Sequence, residues 1–202
     1  MLAAVHFAAA RTTGLQANEV GFHAVALGVA RQAMESLTII EIGFLPAVDA
    51  NRALSRWQSE RDSQGELRKQ LSRGLWPHLP PTPWGLTWGD HMTSLAKSLQ
   101  PYAHFSPSLL QWNLSMVRAN VAAAAAIASI GDGSFDPDKA ERIALLFGVL
   151  LWNMLVTLDY VDDLDAHLIT IKRELDDALA ATQWLDAGEP WADQLLPHVW
   201  FR

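Results

Sequence analysis

Between Phe22 and Leu45 the chain reads FHAVALGVARQAMESLTIIEIGFL, apolar on nearly every face of a helix. At about 100° per residue, Ala24, Leu27, Arg31, Met34, Glu35, Thr38 and Ile42 share one stripe. Ala26, Val29, Ala33, Ile40 and Phe44 share the opposite one. A helix that is apolar on both sides is buried rather than amphipathic, so this stretch is expected at the centre of the fold. Only Arg31, Glu35 and Glu41 interrupt it with charge. Burying a charge is costly unless it is paired and hydrogen-bonded. Arg31 and Glu35 lie four residues apart and can meet on one face.

The remaining pattern is also helical. Met1 to Arg11 predicts a short apolar helix, with a turn at Thr12-Thr13-Gly14 and Asn18 as a cap before the central helix. Pro46 ends that helix. Asp49 to Arg73 predicts a polar helical stretch with one buried stripe, broken at Gly65. Residues 74–88, GLWPHLPPTPWGLTW, hold four prolines and three tryptophans. They predict a loop whose tryptophans pack on the core or form a lid. Gly89 to Gln100 predicts a helix with Asp90 near its start. Pro107 to Ile130 predicts another, opened by Ser106. Asp136-Pro137 caps a helix that runs through the most apolar window, Ile143 to Leu158. A last long helix follows from His167 to about Asp186, and residues 188–202 form an appendage. No strand pattern or internal repeat is present. The expectation is one all-α domain over residues 1–202, an up-and-down bundle of about six or seven helices.

Composition narrows the function classes. There is no cysteine, so no disulfide framework or thiolate metal site is expected, which suits the cytosol. The formal net charge of -7 gives no support to a DNA-binding or anionic-membrane role. The apolar window is short for a bilayer and contains Asn153. It therefore predicts a buried or dimer-interface helix rather than a span. No cofactor fingerprint, P-loop, nucleophile elbow or HExxH is present.

Three constellations are candidates for chemistry. Tyr102-Ala-His104-Phe-Ser-Pro sits at a helix junction and places an imidazole beside aromatic neighbours. His104 reads either as a satisfied core histidine that locks the junction or as a partner of Glu35 or Arg31, under a lid carrying Trp76 and Trp84. Asp159, Asp163 and His167, four apart, share a face if helical, which is divalent-metal spacing. A solvated acidic helix boundary is the simpler reading, and no metal ligand is assigned. Arg73 and His78 bracket four residues, with Gly74 following the arginine.

Arg31-Gln-Ala-Met-Glu35 in a long apolar helix, followed later by Tyr102-Ala-His104-Phe-Ser-Pro107, resembles the pattern of bacterial HEPN-like helical families. The Arg73-to-His78 spacing is also that of HEPN-type ribonucleases. There the arginine stabilises phosphate charge and the histidine assists proton transfer. The resemblance implies an all-helical, often dimeric bundle in a bacterial defence or stress setting, acting by binding, with RNA processing as the associated activity. It nominates Arg31, Glu35 and His104 as catalytic residues of a ribonuclease-like hydrolase; the junction, the tryptophan loop and the Arg-His pair add Tyr102, Trp76, Trp84, Arg73 and His78 as candidate binding residues. Two other readings stand beside it. One is a small-molecule protein or enzyme with a tryptophan lid. The other is a scaffold dimerising through Ile143 to Leu158. A basic groove would favour RNA, a cavity under the tryptophans a ligand, and a flat apolar face assembly.

Overall fold

The computed structural model describes residues 2–83, 85–102, 135–161, 164–186 and residue 195. His104, Trp84, Asp163 and the helix expected over 107–130 lie outside the described residues. So does the 188–202 appendage, apart from Leu195, which is fully buried. Among the described residues there are seven α-helices and no strand: α1 Leu2–Glu19, α2 His23–Ile42, α3 Ala47–Gln58, α4 Gln64–Gly74, α5 Trp88–Leu99, α6 Pro137–Val161 and α7 Ala166–Ala181. Short 3-10 turns at Trp76–His78 and Gln100–Tyr102 follow α4 and α5. The all-α expectation holds.

The central helix is α2, as its pattern requires. It packs against α1, α3, α4, α5, α6 and the Gln100–Tyr102 turn. Ala26, Leu27, Ala30, Ala33, Met34, Leu37 and Ile42 are all fully buried along it. The apolar stretch expected at Ile143 to Leu158 is the middle of α6. It lies against α1, α2 and α7, with Ile143, Leu146, Phe147, Val149 and Leu150 inside. α6 is long and apolar enough to cross a bilayer, and 56% of its apolar window is buried within the chain.

The first helix differs from expectation. The turn at Thr12-Thr13-Gly14 does not form, and α1 runs unbroken to Glu19. Gly14 is a point of close approach rather than a break: a Cβ there would lie 2.1 Å from Phe147 Cζ. The turn comes at Gly21, whose φ of 85° favours glycine. Asn18 is not a helix cap either. Its Nδ2 donates to the Ala140 carbonyl at 2.7 Å, and its Oδ1 accepts from His23 Nδ1 at 2.8 Å. His23 Nε2 then accepts from the Asp136 backbone N–H at 3.2 Å. Burial, the largest influence, lowers the His23 pKa. The neutral ring with its proton on Nδ1 therefore fastens the α1–α2 turn to the start of α6. Asp136 caps α6 as expected, accepting from the Asp138 and Lys139 N–H groups.

Two further boundaries move. The break in the polar stretch falls at residues 59–63, where Glu60 takes a φ of 57°. Ser63 caps α4 by accepting from Glu66 N–H, and Gly65 lies inside the helix. Thr87 caps α5, accepting from the N–H of Asp90, which lies in the first turn as expected, at 3.2 Å. α6 ends at Val161 and Asp165 caps α7. Asp159 and His167 are thus on separate helices, both exposed, and no single helix face carries them.

The Gly14 contact generates a stability prediction. In an open helix Gly→Ala gains up to about 1 kcal/mol. Here Phe147 is 1% exposed and its ring has nowhere to go. Gly14→Ala should therefore lose about 1–3 kcal/mol in urea denaturation, the range for overpacking. Adding Phe147→Leu should return part of that loss.

Candidate functional site

Two polar sites hang from α2. The first begins at Arg31, which is 6% exposed. Its Nε donates to Glu35 Oε1 at 2.7 Å, and its Nη1 donates to the Ala96 carbonyl at 2.7 Å. The pair expected from the four-residue spacing is therefore formed, and it also pins α2 to α5. Tyr102 closes the same region. Its backbone carbonyl lies over Gly28, where a Cβ would come within 3.3 Å. Burial pushes its phenol up to about 12, so the hydroxyl is protonated at neutral pH.

In front of Arg31 lies an open cavity of about 500 Å³ between α4 and α5. Gly65, Arg68, Lys69 and Ser72 line it from α4, and Thr93, Ala96, Lys97 and Gln100 from α5 and its C-cap. Each set is spaced i, i+3, i+4, i+7, the signature of one helix face. The cavity is thus a cleft between two facing helical stripes, opened by the small residues Gly65 and Ala96. Trp76 completes it. Burial and the neighbouring Arg31 charge both lower the Arg68 pKa, and the Glu35 carboxylate opposes them.

The second site is Glu41, which is completely buried. Its Oε2 accepts from Trp76 Nε1 at 3.1 Å and its Oε1 from Thr157 Oγ1 at 3.3 Å. The Trp88 indole also favours the charged form, although its Nε1 falls short of hydrogen-bond geometry. These donors are neutral, so burial dominates and raises the pKa from an ordinary 4.5 to about 7. Behind Thr157, His91 Nε2 lies 3.1 Å from Asn153 Oδ1, and Asn153 Nδ2 points at Met92 Sδ. Trp88 stacks obliquely on Trp152, with ring centroids 5.7 Å apart. Trp76 belongs to both sites, with its ring on the cleft and its N–H on Glu41.

Of the residues nominated from sequence, Arg31, Glu35, Tyr102 and Trp76 are gathered around α2. Trp76 and Trp88 are 3% and 2% exposed, so these two tryptophans of the Pro-rich segment pack inward. Arg73 lies in the last turn of α4 and His78 in the 3-10 turn. Both are exposed and outside the cleft lining. In the sequence Arg68 and Lys69 read only as members of a basic helical face, and Thr93 and Lys97 stand out in no pattern of their own. The signal was there in the matched spacing of the two stripes, but only the packing of α4 on α5 turns it into a cleft. Glu41 carried a signal too, as a lone carboxylate within Ile39-Ile40-Glu41-Ile42.

The Glu41 environment fixes a pH dependence. A carboxyl whose pKa is higher folded than unfolded takes up its proton more readily in the folded state. Its contribution is therefore most favourable below pH 4.5 and is lost as the pH rises to about 7. Glu41→Gln removes the charge, keeps one oxygen to accept from Trp76 Nε1, and turns an amide N–H donor toward Thr157 Oγ1, as the protonated carboxyl can. The variant should match the parent near pH 4.5 and exceed its unfolding free energy at pH 8 by up to about 3 kcal/mol, measured by denaturant titration. A constant difference across that range would show that Glu41 does not titrate in the fold.

Comparison of the chain with protein-family models, curated proteins and solved structures finds no match.

Proposed function

We propose that this chain is a helical small-molecule-binding protein, with its site in the cleft between α4 and α5. The observation that carries the reading is the cleft itself. Its volume of about 500 Å³ falls within the usual range for small-ligand sites, about 300–1,000 Å³. It has an aromatic wall at Trp76 and a few converging polar groups, the usual composition of such sites. Among the described lining residues there is no histidine, carboxylate or paired nucleophile and base. The Ser72 hydroxyl is already donating to the Lys69 carbonyl. Binding therefore fits the lining better than hydrolysis.

The RNA reading asks for a basic groove, which the polar stretch from Asp49 to Arg73 would have to supply. Acids neutralise much of that face. Arg52 pairs with Asp49, Lys69 with Glu66 at 2.6 Å, and Arg56 grips Asp62 with both Nε and Nη2. Arg31 already holds Glu35 and the Ala96 carbonyl, which suits a structural clamp better than phosphate capture. The assembly reading loses much of its surface, because the apolar side of α6 is taken up by the chain's own core.

A thermal-shift screen of a metabolite-sized compound panel tests the reading. A ligand at about 100 times its Kd should stabilise the fold by about 2.7 kcal/mol, a shift of several degrees. Thr93→Trp, at the exposed rim of the cleft, should leave the unliganded midpoint nearly unchanged and remove that shift. Labelled RNA should not co-elute with the protein in size-exclusion with light scattering. A panel that shifts nothing, or a shift that survives Thr93→Trp, overturns the assignment.

A further inference from the structure

The charge of the cleft says more than its volume. Among the described lining residues three side chains are cationic and none is acidic. Lys69 and Lys97 occupy equivalent positions on the two facing stripes, with Arg68 beside Lys69. Nearby acids answer only part of this charge. Glu66 holds Lys69, and Glu35 is already in contact with Arg31. Arg68 Nη1 is buried with no hydrogen-bond partner. A donor withdrawn from water and left unmet is costly, and more so on a charged group. Arg68 also has the like charge of Arg31 behind it. Nη1 is itself closed to solvent, but an anion in the cleft against the rest of the guanidinium would offset the like charge of Arg31.

The partner must be small. The chain carries a net charge of -7, so a polyanion is repelled by most of the surface while a compact anion meets only the local surplus. Phosphate fits better than carboxylate. A carboxylate is satisfied by one guanidinium fork, whereas a phosphomonoester has more acceptor oxygens and nearly two charges at neutral pH. Cations arriving from two helices, with the Thr93 hydroxyl beside them, match that geometry.

We infer that the cleft binds a phosphomonoester, with its phosphate held between Arg68 on α4 and Lys97 on α5 and its organic part against Trp76 and Ala96. Lys69 and Thr93 stand at the rim as further donors. The inference rests on the small-molecule reading and gives it a ligand class.

Isothermal titration of the full chain tests it with four probes: inorganic phosphate, ribose 5-phosphate, ribose and succinate. Ribose 5-phosphate should bind best and phosphate more weakly, with ribose and succinate negligible. Arg68→Gln and Lys97→Gln should each weaken binding of ribose 5-phosphate about tenfold. Lys97 is exposed, so its variant reports on the ligand even if Arg68→Gln unfolds. Affinity should fall below about pH 6, where the phosphomonoester dianion takes up a proton and becomes a monoanion. Succinate binding as tightly as phosphate, or a Lys97→Gln variant that binds ribose 5-phosphate like the parent, overturns the phosphate assignment. If uncharged compounds alone bind, and Thr93→Trp blocks them, the cleft remains a ligand site and only the phosphate assignment falls. If neither these probes nor the wider panel binds, both fall.

Discussion

The structure depends on keeping charge inside α2. Arg31 sits in the apolar middle of the bundle, where an unmatched guanidinium would be expensive. Its two bonds, to Glu35 on its own helix and to the Ala96 carbonyl on α5, meet that cost and fix how α5 lies against α2. With α5 held there, the stripe Thr93 to Gln100 faces the stripe Gly65 to Ser72, and the space between them is the cleft. The ion pair thus acts as a positioning device. It sets the walls of a site to which it is not itself a lining contributor.

Glu41, near the other end of the same helix, is the opposite case. Among the described residues two neutral donors meet it and no cation does, and its pKa rises accordingly. Trp76 connects the two situations, since one face of its surroundings is the cleft and the other the carboxylate. The 3-10 turn that carries it is therefore not spare connection. It supplies a wall on one side and a hydrogen bond on the other.

Helical periodicity made much of this readable in advance. The burial of α2, the meeting of Arg31 with Glu35, the capping of α6 by Asp136 and the inward packing of Trp76 and Trp88 all follow from local spacing and the cost of exposing apolar surface. The failures have a common origin. Gly14 looked like a turn because a glycine's local preference says so, but the reason for glycine there is Phe147, more than a hundred residues away in the chain. Asn18 looked like a cap, but its partners are His23 and Ala140. Gly65 looked like a break and instead leaves room in the cleft. Arg68 and Lys97 belong to one site only because α4 and α5 pack together, and no single-segment pattern contains that fact. The expected convergence of His104 on Arg31 lies outside the described residues.

The fit of the Phe147 ring against Gly14 has an evolutionary corollary. α1 and α6 are spaced there by an absent side chain on one helix and a full aromatic on the other. Neither position is free to drift alone, because a larger residue at the first requires a smaller one at the second. In a lineage descended from this chain the two sites should be inherited as a couple, and that linkage would mark the α1–α6 seam even where the rest of the sequence had changed beyond recognition.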